Sequence, residues 1–180
     1  DLRNVLVAMS DMPKPYERVF QYRFDKTDGA LAGHPLGNLI IAGISEMQGS
    51  TYNAMQLLTK FFHVTGKIYP ASETALTLHA VFQDGHEVAV FADGSEVAGE
   101  SHLAEHQGMI ERVYVTNTYN DEEPKASRKV VDAIMNSDMI VLGPGSLYTS
   151  ILPNLVIPEI RQALIETKAD VTYICNIMTQ

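Results

Sequence analysis

One stretch of the sequence decides the fold class: Asp138-Met-Ile-Val-Leu-Gly-Pro-Gly-Ser-Leu-Tyr-Thr-Ser-Ile-Leu-Pro-Asn154. It opens with a short uncharged run, Met139–Leu142, which predicts a buried strand, and this run stops at a loop of small residues. An amphipathic helical pattern begins after Pro153. A buried strand, a small-residue loop and a helix in this order are typical of α/β proteins, in which ligands bind beyond the carboxyl ends of the strands.

The loop itself has the composition of a ligand-binding turn. Gly143 and Gly145 lack a Cβ atom, so the backbone there can approach a ligand closely. Ser146 adds a hydroxyl that can donate to phosphate or sugar oxygens, and further hydroxyl side chains follow within the same loop. The loop carries neither lysine nor acid, which excludes a Walker A loop. A plain strand-to-helix turn explains the same residues, and the spacing alone leaves both interpretations open.

The last third of the chain alternates strands and helices. The predicted strands are Ile110–Asn117, Met139–Leu142 and Val171–Asn176, and the predicted helices are Lys125–Asn136 and Leu155–Thr167. This β-α-β-α-β order favours a parallel sheet with helical crossovers. The strands are apolar almost throughout, as expected when both faces of a sheet are covered.

The middle of the chain predicts a small antiparallel elaboration. Strand patterns cover Lys67–Pro70, Leu76–Phe82, Glu87–Phe91 and Ile110–Thr116. A near-repeat is present, Asp84-Gly-His-Glu-Val-Ala89 and Asp93-Gly-Ser-Glu-Val-Ala98, and each Asp-Gly pair is a hairpin signal. Since no linker rich in glycine, proline or serine divides the chain, we expect a single domain over residues 1–180.

The first third is helical by pattern. Helices are predicted over Leu2–Ser10, Tyr16–Phe24, Leu36–Met47 and Tyr52–His63. Asp1 is suited to cap the first helix, Pro13 and Pro15 to end it, and Ser50 or Thr51 to cap the fourth.

Composition and charge limit the class of protein. The chain has 180 residues, 46% of them hydrophobic, with a net charge of −9 and a pI near 5.0, which argues against a nucleic-acid surface. The single cysteine, Cys175, cannot form an internal disulfide, so we expect a cytoplasmic protein. No apolar run approaches the roughly 20 residues of a membrane span, and no signal peptide is visible. Because the chain begins at Asp1 without a methionine, we expect a fragment of a longer protein.

A second group of candidates lies at the start of a predicted helix and near the amino terminus. His34 and Asn38 are four residues apart on one helical face, where free N–H groups favour anions. Arg3 and Asn4 form a polar pair, and Arg3 is suited to two-pronged phosphate contact. Asn176 follows a predicted strand, as do Asn117, Tyr119 and Asn120. Solvent-facing or capping roles account for each of these residues equally well.

Metal and catalytic signatures are weak. Histidines occur at His79, His86, His102 and His106, but only the last two have a helical spacing, and the sequence places no third ligand. The run Asp121-Glu-Glu123 could contact Mg²⁺, which leaves a weak signature because it needs few protein ligands. No nucleophile elbow, activated cysteine or strong acid–base pair can be read.

Several motifs together resemble one known family. They are Leu2-Arg-Asn-Val-Leu-Val-Ala8, Phe20-Gln-Tyr-Arg-Phe24, Gly33-His-Pro-Leu-Gly-Asn38, Gly143-Pro-Gly-Ser-Leu-Tyr-Thr-Ser-Ile-Leu-Pro-Asn154 and Tyr173-Ile-Cys-Asn-Ile-Met-Thr-Gln180. The chain is similar to the YvcK-type gluconeogenesis-factor branch of the CofD-like family, from one end to the other. The loop Gly-Pro-Gly-Ser-Leu-Tyr is closer to this branch than to the 2-phospho-L-lactate transferases of the same family.

The resemblance implies a fold and a function. It implies a three-layer α/β/α Rossmann-like domain with a mainly parallel sheet, in a fragment that lacks the family's amino-terminal glycine-rich nucleotide loop and its carboxyl-terminal part. It implies a bacterial, cytoplasmic regulatory protein that binds UDP-sugars such as UDP-N-acetylglucosamine. Members support growth on gluconeogenic carbon sources, cell shape and cell-wall precursor supply.

The expected ligand-binding residues follow from the motifs and the resemblance together. They are Arg3, Asn4, His34, Gly37, Asn38, Gly143, Gly145, Ser146 and Asn176. The glycines of the long loop and Ser146 would contact phosphates, and Asn176 would lie near the base or sugar. The rival hypothesis is a transferase of phosphorus-containing groups that uses Mg²⁺. A third is a scaffold acting through protein contacts, as a homo-oligomer or with a regulatory partner.

Overall fold

The computed structural model of the chain describes residues 2–25, 27, 29–91 and 108–176. These residues belong to two units, one up to residue 73 and one from residue 74 on. The first unit is helical, and the second contains the strands. The fold is therefore mixed α/β.

Helices of the first unit enclose an apolar core. They are α1 (Leu2–Ala8), α2 (Lys14–Gln21), α3 (Leu36–Gln48) and α4 (Thr51–Phe61), with a 3₁₀ turn at Gly29–Leu31. Each helix contributes at least one buried side chain to the cluster of Leu6, Phe20, Ile41, Met55, Leu58 and Ile68. Leu6 and Met55 are completely buried. Burial of this apolar surface is the main force that holds the helices together.

The boundaries of α3 and α4 follow from their capping residues. Ser50 is the N-cap of α4, and its hydroxyl accepts a hydrogen bond from Asn53 N at 3.2 Å, as the sequence predicted. The Glu73 carboxylate accepts from the next free donor, Thr51 N, at 2.8 Å, and its charge suits the positive end of the helix. Gly49, with φ of +66°, ends α3 in the left-handed conformation that glycine favours.

Two predictions for this unit were wrong. The helix predicted over Tyr16–Phe24 begins earlier, at Lys14, and ends at Gln21. Pro15 lies in its first turn, where the missing N–H of proline has no helical partner to lose. The strand predicted over Lys67–Pro70 does not form, because Ile68 is buried in the helical core instead of pairing with another strand.

The second unit contains two sheets. The strands β1 (Leu76–Phe82), β2 (Glu87–Phe91) and β3 (Ile110–Asn117) form an antiparallel sheet in the order β2-β1-β3. The strands β4 (Met139–Leu142) and β5 (Asp170–Tyr173) form a parallel pair. The helices are α5 (Arg128–Met135), α6 (Leu152–Leu155) and α7 (Pro158–Glu166), and a π-helical turn at Leu147–Ile151 precedes α6.

The hairpin between β1 and β2 confirms the first Asp-Gly signal. Gly85 adopts φ of +84°, and Asp84 Oδ1 accepts a hydrogen bond from His86 N at 2.9 Å. This contact is an Asx turn, which fixes the reversal of the chain. The second copy of the repeat, Asp93–Ala98, and the pair His102 and His106 lie outside the described residues.

The sequence assigned β3 to two sheets, the antiparallel elaboration of the middle of the chain and the parallel sheet of the last third. It pairs with β1 in antiparallel register, with Tyr114 opposite His79, which confirms the first assignment. Among the described strands it does not pair with β4 or β5, so the second assignment was wrong. Within the described residues, parts of the parallel pair are exposed to solvent. Met139, Val141 and Val171 are 46–63% exposed.

The outer face of the antiparallel sheet carries a hydrogen-bonded polar network. Glu87 Oε1 accepts from Tyr114 Oη at 2.5 Å and from His79 Nδ1 at 2.9 Å. His79 Nε2 lies 3.0 Å from Thr116 Oγ1, and the His79 and Tyr114 rings stack 4.5 Å apart. Arg112 lies over the same Tyr114 ring. The two ring nitrogens of His79 therefore contact neighbouring strands.

This network predicts a pH dependence of stability at both ends of the scale. Hydrogen bonds from Tyr114 and His79 lower the pKa of Glu87 below its usual 4.5, so their contribution is complete above that value and is lost as pH falls through the folded pKa. The bond to Glu87 raises the pKa of Tyr114 above its usual 10.0, so this contribution is complete below pH 10.0 and is lost at higher pH.

We expect Glu87→Gln to flatten the dependence of the melting temperature on pH at both ends. Thermal unfolding of wild type and variant, followed from about pH 3 to about pH 11, measures this dependence. This range includes the usual pKa values of both groups. Glu111→Gln removes an exposed carboxylate on β3 and is the control. Equal pH profiles for wild type and Glu87→Gln would show that the network contributes nothing to stability.

Candidate functional site

The predicted ligand-binding residues fall into two groups, one in each unit. Arg3, Asn4, His34, Gly37 and Asn38 belong to the first unit, and Gly143, Gly145, Ser146 and Asn176 belong to the second.

The loop after β4 requires glycine at its first position. Gly143 adopts φ of +87°, and a Cβ atom there would lie 2.8 Å from the carbonyl oxygen of Ile174. Any other residue would meet both a strained backbone conformation and a backbone clash. Gly145 has more room, since its Cβ would first meet the Ser150 side chain at 3.3 Å. The glycine pattern therefore serves the path of the loop itself.

Ser146 begins the helical segment that follows the loop. Its hydroxyl accepts from Thr149 N at 3.3 Å, and its carbonyl accepts from Ser150 N and Ile151 N at 3.0 Å each. The segment starts as a π-helical turn, a wide turn that is frequent at functional sites. Ser146 thus has a capping role, and its predicted phosphate contact would be added to that role.

Asn176 holds the loop from the neighbouring strand. Its Nδ2 donates to the carbonyl oxygen of Gly145 at 2.9 Å. Because Asn176 follows β5 and Gly145 follows β4, this bond joins the two carboxyl ends of the parallel pair. The structure thus brings Asn176 and Gly145 together, with the amide positioning the loop. Its predicted place near a base or sugar stays a prediction.

In the first unit, Arg3 and Asn4 form part of a fixed polar group. Arg3 is only 6% exposed, and its Nη2 donates to Asn4 Oδ1 at 3.3 Å. Gln21 Nε2 donates to the same oxygen at 3.2 Å, which ties α1 to the end of α2. Burial, together with the charge of Arg23, lowers the pKa of Arg3.

Arg23 is a further cation of this unit, and the sequence analysis did not single it out. Its Nη1 donates to the Gly33 carbonyl at 2.5 Å, and its backbone forms an antiparallel bridge with Pro35. Phe24 N also donates to the His34 carbonyl at 3.1 Å. These bonds bring Arg23 to the segment that leads into α3. An arginine between two aromatic residues just before that segment was the available signal.

Gly37 has a packing role at the start of α3. A Cβ atom there would lie 2.6 Å from the Phe20 carbonyl oxygen and 2.7 Å from the Phe20 ring. The close approach of α2 and α3 therefore depends on glycine at this position. His34 and Asn38 flank it, and both are half-buried.

The polar residues after β3 act on the chain itself. Asn117 is 8% exposed, and its Nδ2 donates to the Glu122 carbonyl at 2.6 Å. Asn120 Oδ1 accepts from Glu122 N at 3.0 Å. These amides therefore brace the acidic loop Asp121-Glu-Glu123. Within the described residues, no three histidine, cysteine or acidic side chains come together in a metal-binding group.

The fold and the loop define a class: an α/β protein with a small-residue loop beyond the carboxyl end of one strand of a parallel pair. The chain belongs to the family described as 2-phospho-L-lactate transferase CofD, whose model matches residues 1–180. The resemblance found in the sequence motifs is thereby confirmed.

The names of the relatives indicate which branch of the family this chain is similar to. A Streptococcus pyogenes serotype M3 protein named "Putative gluconeogenesis factor" is 78% identical over 180 residues, which cover 100% of this chain and 53% of that protein. A Bacillus subtilis protein named "Gluconeogenesis factor" is 42% identical and is covered to 52%. The chain thus spans about half the length of the curated relatives it matches.

A solved structure agrees with the fold. The crystal structure of a Bacillus halodurans protein matches 100% of this chain and 53% of its own length, at 40% identity and a TM-score of 0.84. A second structure of that protein describes it as a member of the UPF0052 family. Among the described residues, no helix combines the length and the apolar character of a membrane span.

Two glycines of α3 give a matched test of packing. We expect Gly37→Ala to destabilise the protein by about 1–3 kcal/mol, because the added methyl group meets the Phe20 backbone. Gly43 lies in the same helix with open space around its Cβ position, so Gly43→Ala should stabilise by about 0.5–1 kcal/mol. Urea unfolding measures both changes. The same sign for both variants would contradict this account of Gly37.

The Asn176 bond to the loop predicts a local effect on hydrogen exchange. One lost hydrogen bond is worth about 1 kcal/mol, so Asn176→Ala should speed amide exchange at Ser150 and Ile151 roughly fivefold. Exchange monitored by NMR measures this change. Asn136→Ala is the control, because Asn136 bonds only to the Asp132 carbonyl in its own helix turn. Unchanged exchange at Ser150 and Ile151 in Asn176→Ala would contradict a positioning role.

Proposed function

We propose that the chain is part of a nucleotide-sugar-binding regulatory protein, a gluconeogenesis factor that takes UDP-sugars such as UDP-N-acetylglucosamine. The observation that carries the proposal is the loop Gly143–Ser146, which lies at the carboxyl end of β4 and is fixed by Asn176. Ligands of α/β proteins bind at such strand ends. A loop that is already held in place loses little conformational entropy when a ligand binds.

The site residues have distinct proposed roles. Backbone N–H groups of Gly143, Gly145 and Ser146 would contact the phosphates, as in other small-residue loops that precede helices. Within the first unit, Arg3 and Asn4 would supply charge and orientation to a ligand, and His34 and Asn38 would contact it from the start of α3. Gly37 would support that helix start by packing.

The regulatory role is inferred from the relatives. Proteins 42% and 78% identical to this chain are named as gluconeogenesis factors. We propose that this protein acts in a bacterial cytoplasm. There it would support growth on gluconeogenic carbon sources, cell shape and cell-wall precursor supply. A single cysteine, exposed at Cys175, fits a reducing compartment. Self-association and a regulatory protein partner stay predictions.

We also propose that the parallel pair belongs to a three-layer α/β/α Rossmann-like sheet in the complete protein. Met139, Val141 and Val171 expose apolar surface on β4 and β5, and parallel strands are normally covered on both faces. Relatives are about twice as long as the region matched here. Segments outside the matched region would add strands to the sheet and cover the exposed faces of β4 and β5.

A transferase is the second candidate, because the family model that matches residues 1–180 is described as a 2-phospho-L-lactate transferase. Transfer of phosphorus-containing groups depends mainly on positioning and on charge stabilisation, often with Mg²⁺. The acidic loop Asp121-Glu-Glu123 is exposed and would be the place to look for a contact to that ion.

Calorimetric titration of the full-length protein with UDP-N-acetylglucosamine, with and without Mg²⁺, tests the proposal. We expect saturable binding without turnover, and an affinity at least about tenfold weaker for Gly145→Val, whose side chain would press on Ser150 and displace the loop. Gly43→Ala, outside the loop, should bind like wild type. Turnover that requires Mg²⁺ would favour the transferase, and absence of binding under both conditions would contradict the nucleotide-sugar proposal.

A further inference from the structure

The polar network on the outer face of the antiparallel sheet contains a carboxylate, an imidazole and a hydroxyl in series. Glu87 Oε1 lies 2.9 Å from His79 Nδ1, and His79 Nε2 lies 3.0 Å from Thr116 Oγ1. The three residues come from the neighbouring strands β2, β1 and β3, so the pairing of the sheet sets their spacing. An acid that orients a base, and a base within reach of a hydroxyl, are the elements of nucleophilic catalysis.

The direction of these hydrogen bonds follows from the chemistry of the groups. An ionised carboxylate only accepts, so His79 carries a hydrogen on Nδ1, and the neutral ring then presents a lone pair on Nε2 to the Thr116 hydroxyl. Hydrogen bonds from Tyr114 and His79 lower the pKa of Glu87, which keeps this carboxylate ionised at neutral pH. Nε2 is therefore placed to take the proton of the Thr116 hydroxyl.

Tyr114 holds both the acid and the base in position. Its hydroxyl donates to Glu87 Oε1 at 2.5 Å, and its ring stacks on the His79 ring with centroids 4.5 Å apart and planes inclined by 6°. A base whose ring is already oriented needs little rearrangement when it accepts a proton. The His79 side chain is 19% exposed, so the ring is shielded but remains partly accessible within the described residues.

Two further hydroxyls lie beside Thr116. Thr77 is directly opposite Thr116 in the register of β1 and β3, and directly opposite residues of an antiparallel pair have their Cβ atoms about 5 Å apart. Thr77 Oγ1 lies 3.0 Å from Thr118 Oγ1. One of these two hydroxyls donates to the other, and the accepting hydroxyl keeps its own hydrogen for a third group. That hydrogen is suited to bind the negative oxygen that forms when a nucleophile attacks a carbonyl.

The charge near Thr116 indicates the class of substrate. Arg112, the cation of this network, lies over the Tyr114 ring and precedes Thr116 by four residues on β3, roughly 13 Å along the strand. Transfer of a phosphate group needs cations close to the reacting atoms, whereas acyl transfer from a neutral ester needs only hydrogen-bond donors. Threonine is a secondary alcohol whose methyl group crowds the nucleophile, so a small acyl group fits best.

We propose that Thr116 is a nucleophile and His79 its general base in the hydrolysis of small neutral carboxylic esters. Glu87 and Tyr114 are positioning residues. This activity goes beyond the nucleotide-sugar function and does not rest on it. Thr116 Oγ1 forms a bond to the carbonyl carbon, and its proton passes to His79 Nε2. The bond from that carbon to the leaving oxygen then breaks, and His79 gives the proton to this oxygen, which releases an alcohol.

Water completes the reaction. A water molecule attacks the carbonyl carbon of the acyl ester on Thr116 and gives a proton to His79 Nε2. The bond between the acyl carbon and Thr116 Oγ1 then breaks, and the proton passes from His79 to Thr116 Oγ1. One ester and one water thus yield one carboxylic acid and one alcohol, and no oxidant or reductant takes part.

The test gives 4-nitrophenyl acetate to the full-length protein. We expect turnover by wild type, and mass spectrometry of the acid-quenched protein should find an acetyl group on Thr116. Thr116→Val keeps the shape of the side chain but lacks the hydroxyl, and should lower kcat at least about hundredfold. Thr116→Ser keeps the hydroxyl and should retain turnover. Thr172→Val makes the same change at an exposed threonine of β5 and is the matched control.

The base and the acid should differ in their effects. His79→Gln removes the base and should lower kcat at least about hundredfold. Glu87→Gln keeps an acceptor oxygen but loses the charge that orients the imidazole, and should lower kcat about tenfold with KM unchanged. Glu111→Gln removes an exposed carboxylate of β3 and should leave both constants unchanged. A merely structural role for Glu87 would lower the melting temperature without a selective loss of kcat.

Several results would overturn the assignment of Thr116. One is turnover by Thr116→Val equal to that of wild type, and another is acetylation confined to other nucleophiles, such as the exposed thiol of Cys175. Absence of turnover and of acetylated Thr116 in wild type would overturn it as well. If Thr116→Val folds poorly, the position of the acetyl group in wild type decides the question. None of these results bears on the binding of a nucleotide sugar.

Discussion

The backbone contact between Gly143 and the strand beside it constrains the second unit most strongly. The Ile174 carbonyl lies where any side chain on Gly143 would have to be, so the loop after β4 can follow its path only with glycine there. The same carbonyl belongs to a residue whose N–H donates to Leu142 at 2.8 Å, which extends the parallel pairing. The pairing of β4 with β5 and the path of the loop therefore depend on each other. Asn176, which follows β5, adds a side-chain hydrogen bond to the same loop.

The same logic explains why motif residues carry two roles. Gly37 permits the close approach of α3 to Phe20, and Ser146 caps the turn that follows the loop. Such residues must first allow the backbone to reach its conformation, and only then can a ligand use the N–H groups that this conformation presents. If these positions serve a ligand site, a substitution there lowers affinity by changing the backbone. Loss of binding alone therefore does not distinguish a contact residue from a positioning residue.

Much of the fold could be predicted because its signals are local. The strands Leu76–Phe82, Glu87–Phe91 and Met139–Leu142 match the prediction at both ends, since turn residues bound each of them. Ser50 as the cap of α4 is equally local. The sequence placed β3 in both predicted sheets and could not decide between them, because a strand's own pattern does not specify its neighbour. The apolar residue Ile68 was assigned to a strand, since burial in a helical core gives the same short pattern.

The candidate site was predictable to the extent that its residues are types with distinctive geometry. Glycines in the loop and at the start of α3 mark themselves by their lack of a side chain, and the structure gives each a steric reason. The amide of Asn176 and the guanidinium of Arg23 could be assigned only from contacts 31 and 10 residues away along the chain. No local pattern encodes such contacts, because the fold alone brings the two segments together.

The net charge of the chain limits how an anionic ligand could be bound. The net charge of this chain is −9, which disfavours anions in general, so an anionic ligand would need a local arrangement of cations and N–H groups. Fixed neighbours make such a site selective, because mobile surface cations would bind any anion weakly and would be screened by salt. Arg3 and Arg23 are examples of cations with fixed neighbours, since they donate to Asn4 and to the Gly33 carbonyl respectively. In an acidic chain, the position of each fixed cation is more informative about a ligand than the net charge, which argues only against a nucleic-acid surface.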